Sequence, residues 1–473
     1  MKPAAHGCLL IPPRLMAALA LAAALGLVAC NDDPVAVAPA PAPSTPAPCI
    51  SNCFPDGLDL PNTGPNAVAK WYDIGRQVIS GAANPAGATA SERATTFDID
   101  MPVLTIAMYD AAALVTNQYQ AFVPNIRTEL QATIPANTAV AGTLAVTGAA
   151  CGVLEGLFPL RAALYATECA AALSGIDSTG AAAFQFGKTV ASKVIAWRGD
   201  DGRETPLPAW STVASAEPGQ FRSLNPNPAI NPVNYVRPQV KPFALASAAQ
   251  FRAPAPYALG SASYATDLEE TRRLGAANST TRTVAQTENA KFHTMPPPLF
   301  WMKNLQQFAT TQPTLVENAR LMAALWVALG DATTACFESK YFYRYWRPVT
   351  AIQLADLDGN LATVSDPTWA PVVATPNHPE YPAAHGCDAG ATASVLSHVF
   401  RTAKLRFTFT TEVATVVDPY KQQAYASTEA MTAQIEEARV AGGMHFRNAV
   451  VQGVVMGRLV ASQVLAMRFQ AVP

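Results

Sequence analysis

Apolar residues recur at spacings of three and four along most of the chain from about Gly64 onward. This is the period of an amphipathic helix, whereas a half-buried strand alternates at every second residue. We find no internal repeat and no strand-rich block, so we predict an all-α helical bundle. The predicted helices cover residues 67–79, 102–115, 138–157, 181–197, 261–274, 314–336, 389–402, 427–440 and 449–469, with further helical pattern from about residue 299.

The main interruption of the helical pattern is a polar, proline-rich region from about Gly202 to Pro256. Its Asn-Pro pairs, at 225–228 and 231–232, are typical of turns. Such a long connection is unusual inside a compact domain and often forms a lid or a surface wrap. We therefore expect the bundle to carry long proline-rich loops.

The composition agrees with a large folded protein. Half of the 473 residues are apolar and 14% are charged, which excludes a chain that is disordered throughout. The formal net charge of −2 provides no overall basic field, so we expect no nucleic-acid partner. Any site for an anion must therefore be a local cluster of positive side chains.

The first thirty residues have the layout of an export signal. Lys2 and Arg14 accompany an uncharged apolar run, residues 15–28, which is too short to cross a bilayer as a helix. The run ends in Leu-Val-Ala-Cys at Cys30, which resembles the lipobox of bacterial lipoproteins. Cleavage before Cys30 would leave its thiol to carry a lipid; ordinary signal cleavage nearby is the alternative.

The chain is therefore predicted to have three parts: a lipoprotein signal peptide (1–29), a Pro/Ala-rich tether (30–62) and an all-α domain (63–473) with its motif-bearing core at about 299–473. A Pro-rich tether favours extended polyproline II. No uninterrupted apolar run of eighteen residues follows residue 30. We expect an exported domain held at a bacterial membrane by its N-terminal lipid only, facing the periplasm or the exterior.

Six cysteines follow Cys30, and an even number outside the cytoplasm permits disulfides. The pairs closest in sequence, Cys49–Cys53 and Cys151–Cys169, are the predicted ones. The spacings match no zinc site. The six are Cys49, Cys53, Cys151, Cys169, Cys336 and Cys387.

Two cations, Lys340 and Arg347, stand seven residues apart in an aromatic stretch, residues 337–348. On one helix they would face the same way, almost two turns apart. Two cations on one aromatic face predict a site for a buried oxyanion. A charged aromatic helix packed at an interface is the alternative.

Two histidines, His378 and His385, are also seven residues apart, in a predicted loop followed by a helix. The small residues Ala383 and Ala384 would let backbone N–H groups approach an anion closely, as helix N-termini do. A lone histidine is most often a structural residue, and that alternative stays open here.

In the last stretch, Gly442 and Gly443 are predicted to end one helix and His445 to begin the next. This turn would bring Arg439 and His445 to one point. Alone, a Gly-Gly pair between helices is often only a turn.

Together the three stretches resemble the signature shared by vanadium-dependent haloperoxidases and type-2 phosphatidic acid phosphatases: Lys-x6-Arg-Pro, Pro-Ser-Gly-His and Ser-Arg-x5-His-x3-Asp. In this chain they are Lys340 to Pro348, Pro382 to His385 and Arg439 to His445. The runs Tyr-Trp-Arg-Pro-Val-Thr-Ala-Ile at 345–352 and Glu-Asn-Ala-Arg-Leu at 317–321 resemble the bacterial haloperoxidase branch.

The resemblance implies a helical bundle of the haloperoxidase/acid phosphatase type and a vanadate cofactor, without haem, flavin or nicotinamide. His445 would be bonded to the vanadium of vanadate, or attack phosphorus in a phosphatase. His385 would be the general acid–base group, and Lys340 would polarise the peroxide. The residues implied to bind the cofactor are Lys340, Arg347, Ala384, Arg439 and His445.

The implied reaction is the oxidation of a halide by hydrogen peroxide to hypohalous acid, with a small organic acceptor allowed. His378 matches a position that resembles the histidine of bromoperoxidases, and Phe337 stands where many relatives have Trp. These two residues near the halide favour bromide or iodide over chloride; a loop histidine capping backbone is the alternative for His378. Related enzymes often associate, so a homo-oligomer is compatible with the resemblance.

Four alanines depart from the family pattern. Ala383 replaces Ser, which removes one hydrogen bond to a charged oxyanion, roughly 1.5–3 kcal/mol. Ala384 replaces Gly, Ala438 replaces a second Ser, and Ala449 replaces the Asp that orients the histidine of the phosphatases, which tells against an efficient phosphatase. An acid phosphatase or phosphotransferase with His445 as nucleophile stays as the alternative, and an inactive anion-binding lipoprotein as the lesser one.

Overall fold

The computed structural model describes residues 57–81, 89, 91 and 97–473. The predicted signal peptide, Cys30, the Cys49–Cys53 pair and most of the tether lie outside these residues. The prediction of an all-α bundle is confirmed. The helices of the described residues are α1 (Ala67–Ser80), α2 (Phe97–Thr116), α3 (Ile126–Leu130), α4 (Ala139–Leu157), α5 (Ala166–Ala171), α6 (Ser178–Trp197), α7 (Ala262–Gly275), α8 (Val284–Phe292), α9 (Pro297–Leu305), α10 (Leu315–Tyr343), α11 (Pro348–Gln353), α12 (Ala384–Phe400), α13 (Thr428–Ala441) and α14 (Arg447–Met467).

Side-chain caps begin several of the long helices. At the start of α10, the Thr314 hydroxyl accepts the Glu317 N–H, and the Glu317 carboxylate accepts the Thr314 N–H. This reciprocal capping box satisfies two backbone donors. By contrast α12 and α14 begin after Ala383 and Phe446, whose side chains make no capping bond. The first N–H groups of these two helices are therefore left for other partners.

The central helix is α10, which packs against α2 on one side and against α12 and α14 on the other. α2, α4 and α6 pack together as one group, while α12, α13 and α14 form a second. A helix surrounded by other helices is apolar on all sides. Indeed α2, α4, α10 and α14 are each long and apolar enough to cross a membrane, judged by length and composition alone, although 94% of the apolar window of α2 and α10 is buried in the bundle.

Helices α12 and α14 approach each other closely at small residues. A Cβ added at Gly457 would lie 2.0 Å from the Cys387 carbonyl oxygen, and one at Gly390 would lie 2.2 Å from the Val454 carbonyl oxygen. Both distances are below any real carbon–oxygen contact, so only glycine permits this spacing. The close approach places the N-terminus of α12 beside the turn that precedes α14.

Two disulfides lie in the described residues. The predicted Cys151–Cys169 bond is confirmed and ties α4 to α5. A second bond, Cys336–Cys387, was not predicted, since its cysteines are 51 residues apart and we paired cysteines by sequence proximity. It joins the C-terminal part of α10, which carries Lys340, to the N-terminal part of α12, which carries His385.

A small three-stranded sheet, which the helical pattern did not predict, lies within the all-α fold. Its strands are β1 (Leu58–Asp59), β2 (Leu405–Thr410) and β3 (Gln422–Tyr425) in the order β1-β2-β3, with β2 parallel to β1 and antiparallel to β3. Buried and half-buried residues alternate along β2. Six alternating residues between two helices were too short a signal to stand out.

The proline-rich region between α6 and α7 is a loop, as expected. Two short 3-10 turns interrupt it, Trp210–Thr212 and Arg237–Gln239. The loop lies across α10, where Tyr341 Oη donates to the Val233 carbonyl oxygen at 2.5 Å. Its aromatic residues join a second, smaller apolar cluster with those of α10: Trp210, Phe221, Phe337 and Tyr341.

The substitution Gly457→Ala should lower the free energy of unfolding by about 1–3 kcal/mol, because the added Cβ forces α14 away from the Cys387 carbonyl of α12. Urea denaturation followed by circular dichroism measures this change. Gly260→Ala is the matched control, since a Cβ there meets nothing within 4 Å. An unfolding free energy for Gly457→Ala equal to that of the control would contradict the close packing of the two helices.

Candidate functional site

The three motif stretches meet around one cavity of about 420 Å³. The cavity lies where the end of α10, the N-terminus of α12 and the turn between α13 and α14 come together. Lys340 and Arg347 are buried in its wall rather than on its surface, and Arg347 contacts two of the lining histidines. The predicted site residues that line the cavity directly are Phe337, His378, Ala384, His385, Arg439 and His445.

The expectation that Lys340 and Arg347 share one helix is wrong. Helix α10 ends at Tyr343, because Arg344 takes a left-handed conformation with φ 50° and ψ 38°. Arg347 is the N-cap residue of the short helix α11. The turn between them is held by the proline-rich loop, where the Phe221 N–H donates to the Arg344 carbonyl oxygen at 2.6 Å. The chain reversal, not helical spacing, brings both cations to the same place.

Lys340, Arg347 and Arg439 are at most 1% exposed, and within the described residues none of the three forms an ion pair with a carboxylate. Lys340 Nζ donates to the carbonyl oxygens of Pro379 and Glu380 at 2.9 and 2.8 Å. Carbonyl dipoles stabilise these charges only in part, because a buried cation without a counter-charge costs several kcal/mol. Glu380 offsets part of the charge of Lys340 and Arg347 without a direct contact, and no direct carboxylate partner neutralises the three cations.

Burial changes the acidity of all three cations. It lowers the pKa of Lys340 well below its ordinary value, with Arg347 acting in the same direction. The pKa of Arg347 falls to about 10, and that of Arg439 to about 9. Arg439 donates through Nη1 to the His293 carbonyl oxygen at 2.9 Å, while its buried Nε has no hydrogen-bond partner. An oxyanion in the cavity would supply both the missing charge and the missing acceptor.

The contacts of His445 determine which ring nitrogen carries the proton. Arg347 Nη1 lies 3.0 Å from Nε2, and a guanidinium can only donate, so Nε2 is the acceptor. The proton therefore sits on Nδ1, which lies 3.0 Å from Glu380 Oε1 and donates to it. Burial, with Arg347 next, lowers the pKa of His445 well below its ordinary value, so the ring stays neutral. Nε2 thus keeps its lone pair, which accepts the hydrogen bond from Arg347 in this structure.

Glu380 is a functional residue that the motif spacing missed. It is fully buried, and its Oε1 also accepts the N–H of Phe446, which precedes α14. Burial raises the pKa of this carboxyl above its ordinary value. Glu380 was visible in the sequence as the single acidic residue between His378 and His385.

Glu380 also corrects the argument drawn from Ala449. We expected the histidine to lack an orienting carboxylate because Ala449 stands in place of Asp. The structure shows that Glu380, from the loop before α12, provides a carboxylate to His445 instead. Ala449 therefore gives no argument against a phosphatase.

His385 lies in the first turn of α12, which begins at Ala384, five residues before the start of the predicted helix. Its Nε2 donates to the His293 carbonyl oxygen at 3.2 Å, so Nδ1 is the nitrogen left with a lone pair. Burial and then Arg439 lower its pKa well below the ordinary value. A neutral imidazole at the cavity surface can accept or pass on a proton.

The turn between α13 and α14 brings Arg439 and His445 together, as predicted. Gly443 has a φ of +73°, which favours glycine, and the N–H groups of Met444 and His445 donate to the Arg439 carbonyl oxygen. His445 does not begin α14, however. It stands one residue before Phe446, the N-cap of that helix.

The two predicted halide-near residues are neighbours. The rings of Phe337 and His378 lie 5.1 Å apart between centroids. His378 contacts the adjacent Pro379 carbonyl at 3.1 Å, and Arg347 Nη2 lies 3.0 Å from its Nδ1. His378 therefore makes the backbone contact of the alternative interpretation while also lining the cavity.

His293 is the second residue that the sequence did not reveal. It follows α8, is 1% exposed and lines the cavity, and its carbonyl oxygen accepts from both Arg439 and His385. Nothing in its neighbourhood in the sequence forms a motif. Only the fold brings it to the site.

This donor set fits a tetrahedral oxyanion. It combines three buried cations, an unpartnered Arg439 Nε, an imidazole lone pair on His445 and the N-terminus of α12. Among the described residues no group of three or more His, Cys, Asp or Glu side chains could hold a metal cation. Vanadate and phosphate share the required shape and charge.

Comparisons with known proteins agree with this geometry. Residues 320–472 match the family model of the VCPO second helical-bundle domain. The whole fold is similar to the first bacterial vanadium-dependent iodoperoxidase, with a TM-score of 0.59 and 20% identity over 86% of this chain and 96% of that chain. It is also similar to a holo-type bacterial vanadium-dependent chloroperoxidase, with a TM-score of 0.63 and 17% identity over 87% and 98% of the two chains.

An apo-type bacterial vanadium-dependent chloroperoxidase gives a TM-score of 0.60 at 17% identity over 79% of this chain and 93% of that chain. No curated protein matches the sequence. The protein thus has the all-α bundle fold of the bacterial vanadium-dependent haloperoxidases, and its last third matches the model of the VCPO second helical-bundle domain. The family resemblance of the three motifs is confirmed.

The substitution Glu380→Gln should weaken the binding of orthovanadate about 10- to 100-fold, the usual cost of losing a carboxylate that orients a ligating histidine. Glu380 holds the proton on Nδ1 of His445 and so keeps the lone pair on Nε2. Isothermal titration calorimetry with orthovanadate, and with inorganic phosphate, measures the change.

Glu270→Gln is the matched control, because Glu270 pairs with Arg447 and does not line the cavity. Glu380→Asp keeps a carboxyl group and should recover part of the affinity. Equal affinities for Glu380→Gln and wild type would show that the carboxylate does not position His445.

Proposed function

We propose that the protein is a vanadate-dependent haloperoxidase, which oxidises a halide with hydrogen peroxide to hypohalous acid. The observation that carries this proposal is the group of three buried cations without carboxylate partners, Lys340, Arg347 and Arg439, around the unprotonated Nε2 of His445. The fold and the VCPO domain support it.

The residues present would hold vanadate through charge and one nitrogen ligand. His445 Nε2 would be the ligand, and Arg347, now 3.0 Å from that nitrogen, would turn its Nη1 to an oxyanion oxygen. Arg439 Nε would gain the acceptor that it lacks. Bound vanadate would supply Lewis-acid activation of hydrogen peroxide without a change in its oxidation state.

Side chains of the site can transfer the protons that the reaction requires. Hydrogen peroxide, one halide ion and one proton give hypohalous acid and water, so the site must accept and return protons during turnover. His385 has a neutral ring with its Nδ1 lone pair free for this task. Lys340 is held by two carbonyl groups beneath the site, where its charge stabilises negative charge that develops on oxygen.

We infer a preference for bromide and iodide over chloride from His378 and Phe337, which share one wall of the cavity. The preference rests on the resemblance of the His378 position to that of bromoperoxidases.

A phosphatase or phosphotransferase stays as the second candidate because one observation favours it. Glu380 orients His445 so that Nε2 is unprotonated, which is what a histidine nucleophile needs for attack on phosphorus. An oxyanion pocket of this kind serves vanadate and phosphate alike. Activity assays on both substrate classes separate the two candidates.

Residues 34–473, dialysed free of phosphate, should brominate phenol red with peroxide and bromide only when orthovanadate is added. His445→Ala should abolish this activity, because it removes the nitrogen ligand. His398→Ala is the matched control, since His398 lies in the last turn of α12 and does not line the cavity.

Absence of bromination at a saturating concentration of vanadate would contradict the proposal for bromide. Hydrolysis of p-nitrophenyl phosphate that depends on His445 would then establish the phosphatase. Vanadate binding without either activity would leave the anion-binding protein.

We also propose that the chain is exported and anchored by a lipid on Cys30. The Cys151–Cys169 and Cys336–Cys387 disulfides support an oxidising compartment. Cys30→Ala should move the full-length protein from the membrane fraction into the soluble fraction of a bacterial host, because the lipid is the expected anchor. Cys8→Ala, within the signal peptide, is the control, and equal membrane retention of both variants would contradict a lipid on Cys30.

A further inference from the structure

A methionine lies in the wall of the oxyanion site itself. Met444, in the turn between α13 and α14, lines the cavity and is only 2% exposed. Its Sδ accepts a hydrogen bond from Arg439 Nη2 at 2.6 Å, and its carbonyl oxygen accepts one from Arg347 Nη1 at 2.9 Å. Two of the three cations of the site therefore hold the residue that directly precedes His445.

The thioether is a poor partner for a buried guanidinium, because the sulfur of methionine is only a weak acceptor. Among the described residues, Arg439 otherwise donates to the His293 carbonyl oxygen, and its Nε has no hydrogen-bond partner. The contact with Met444 therefore leaves the guanidinium able to bind an oxyanion. A stronger acceptor in place of the sulfur would compete with that oxyanion for Arg439.

Oxidation converts the thioether into such an acceptor, because a methionine sulfoxide carries a polar S=O group. The position of Met444 decides which oxidant reaches it. Met295 also lines the cavity, but it is half-buried between two exposed lining residues, and Met467 is 60% exposed at the end of α14. An oxidant that forms beside His445 thus meets the sulfur of Met444 first, whereas an oxidant from solution meets Met467 first.

We propose that the hypohalous acid formed at the oxyanion site oxidises the thioether of Met444 to a sulfoxide, whose oxygen then competes with vanadate for Arg439. This inference rests on the proposed haloperoxidase function, which supplies the oxidant. Met444 is then a modification site through which the enzyme limits its own turnover.

The oxidation balances without a further reactant. The sulfur lone pair attacks the halogen, the O–X bond breaks, an S–X bond forms and hydroxide leaves. Water then adds its oxygen to the sulfur, the halide ion leaves, and one of the two protons released combines with the hydroxide. Overall, a thioether and hypohalous acid give a sulfoxide, a halide ion and a proton, and the two electrons lost by sulfur are gained by the halogen.

Peptide mass spectrometry locates the oxidation. During turnover with orthovanadate, peroxide and bromide, with taurine in excess to trap hypobromous acid that escapes, Met444 should gain the mass of one oxygen atom before Met467 does. Reagent hypobromous acid added to the protein without taurine should instead oxidise Met467 first, since susceptibility follows exposure.

Two results of this experiment would overturn the inference. One is oxidation of Met467 ahead of Met444 during turnover. The other is equal oxidation of Met444 by orthovanadate and peroxide without bromide, which would make peroxide the oxidant in place of hypohalous acid.

A substitution tests what the sulfoxide does to the site. Met444→Gln carries an amide oxygen on the atom that corresponds to Sδ, so orthovanadate should bind about tenfold more weakly, the effect of one hydrogen bond to a charged group. Isothermal titration calorimetry without peroxide or halide measures this affinity. Met467→Gln, the same change at an exposed position outside the cavity, is the matched control. Equal affinities of the two variants would overturn the competition for Arg439.

Met444→Leu has no sulfur to oxidise. Its bromination activity should therefore decline more slowly with the number of turnovers than that of wild type, each normalised to its own initial rate. An equally rapid decline would overturn the claim that Met444 limits turnover.

The proposed function and this inference fail separately. Normal bromination without a sulfoxide at Met444 would overturn the inference and leave the haloperoxidase intact. Absence of bromination would overturn the proposed function and, with the source of the oxidant, the inference as well.

Discussion

Lys340, Arg347 and Arg439 are held in the interior of the bundle by main-chain carbonyl groups instead of carboxylates. The carbonyls of Pro379 and Glu380 hold Lys340, and that of His293 holds Arg439. Taking a cation out of water costs several kcal/mol unless it is paired. The surrounding structure must therefore keep these carbonyl groups fixed. A bound anion would neutralise the positive charge that the carbonyl groups leave. Much of the local architecture follows from this constraint.

The constraint explains why the helices end where they do. α10 stops at Tyr343 so that Arg347 can enter the wall from the next segment, and α13 stops so that Gly443 can fold His445 back toward Arg439. α12 starts without a side-chain cap at the cavity, and the glycines at its contact with α14 keep both N-termini close together. Helix packing thus positions groups whose chemistry is set by burial.

His445 and Glu380 complete the site, because the hydrogen bonds around His445 determine which of its ring nitrogens carries the proton. Arg347 fixes Nε2 of His445 as an acceptor, and Glu380 accepts the proton on Nδ1. This arrangement would be the same for vanadate and phosphate, which is why the pocket residues alone do not separate a peroxidase from a phosphatase. The volume of the cavity, about 420 Å³, is larger than either small anion requires.

The sequence predicted the helices well because amphipathic periodicity is local, and it predicted the site residues because their spacing resembles a known signature. The sequence did not predict the contacts that depend on the tertiary fold. Lys340 and Arg347 were expected on one helix, yet a left-handed Arg344 separates them. The Cys336–Cys387 bond, the Glu380–His445 contact and the role of His293 join residues 51 or more positions apart in the chain, and no local pattern records such contacts.

The most direct test of the central claim is a crystal structure of the protein soaked with orthovanadate. The account predicts vanadium at bonding distance from Nε2 of His445, with oxyanion oxygens on Lys340, Arg347 and Arg439, and with Glu380 still hydrogen-bonded to Nδ1. Vanadate bound elsewhere, or a cavity in which Arg347 keeps its contact with Nε2 at saturating vanadate, would contradict it.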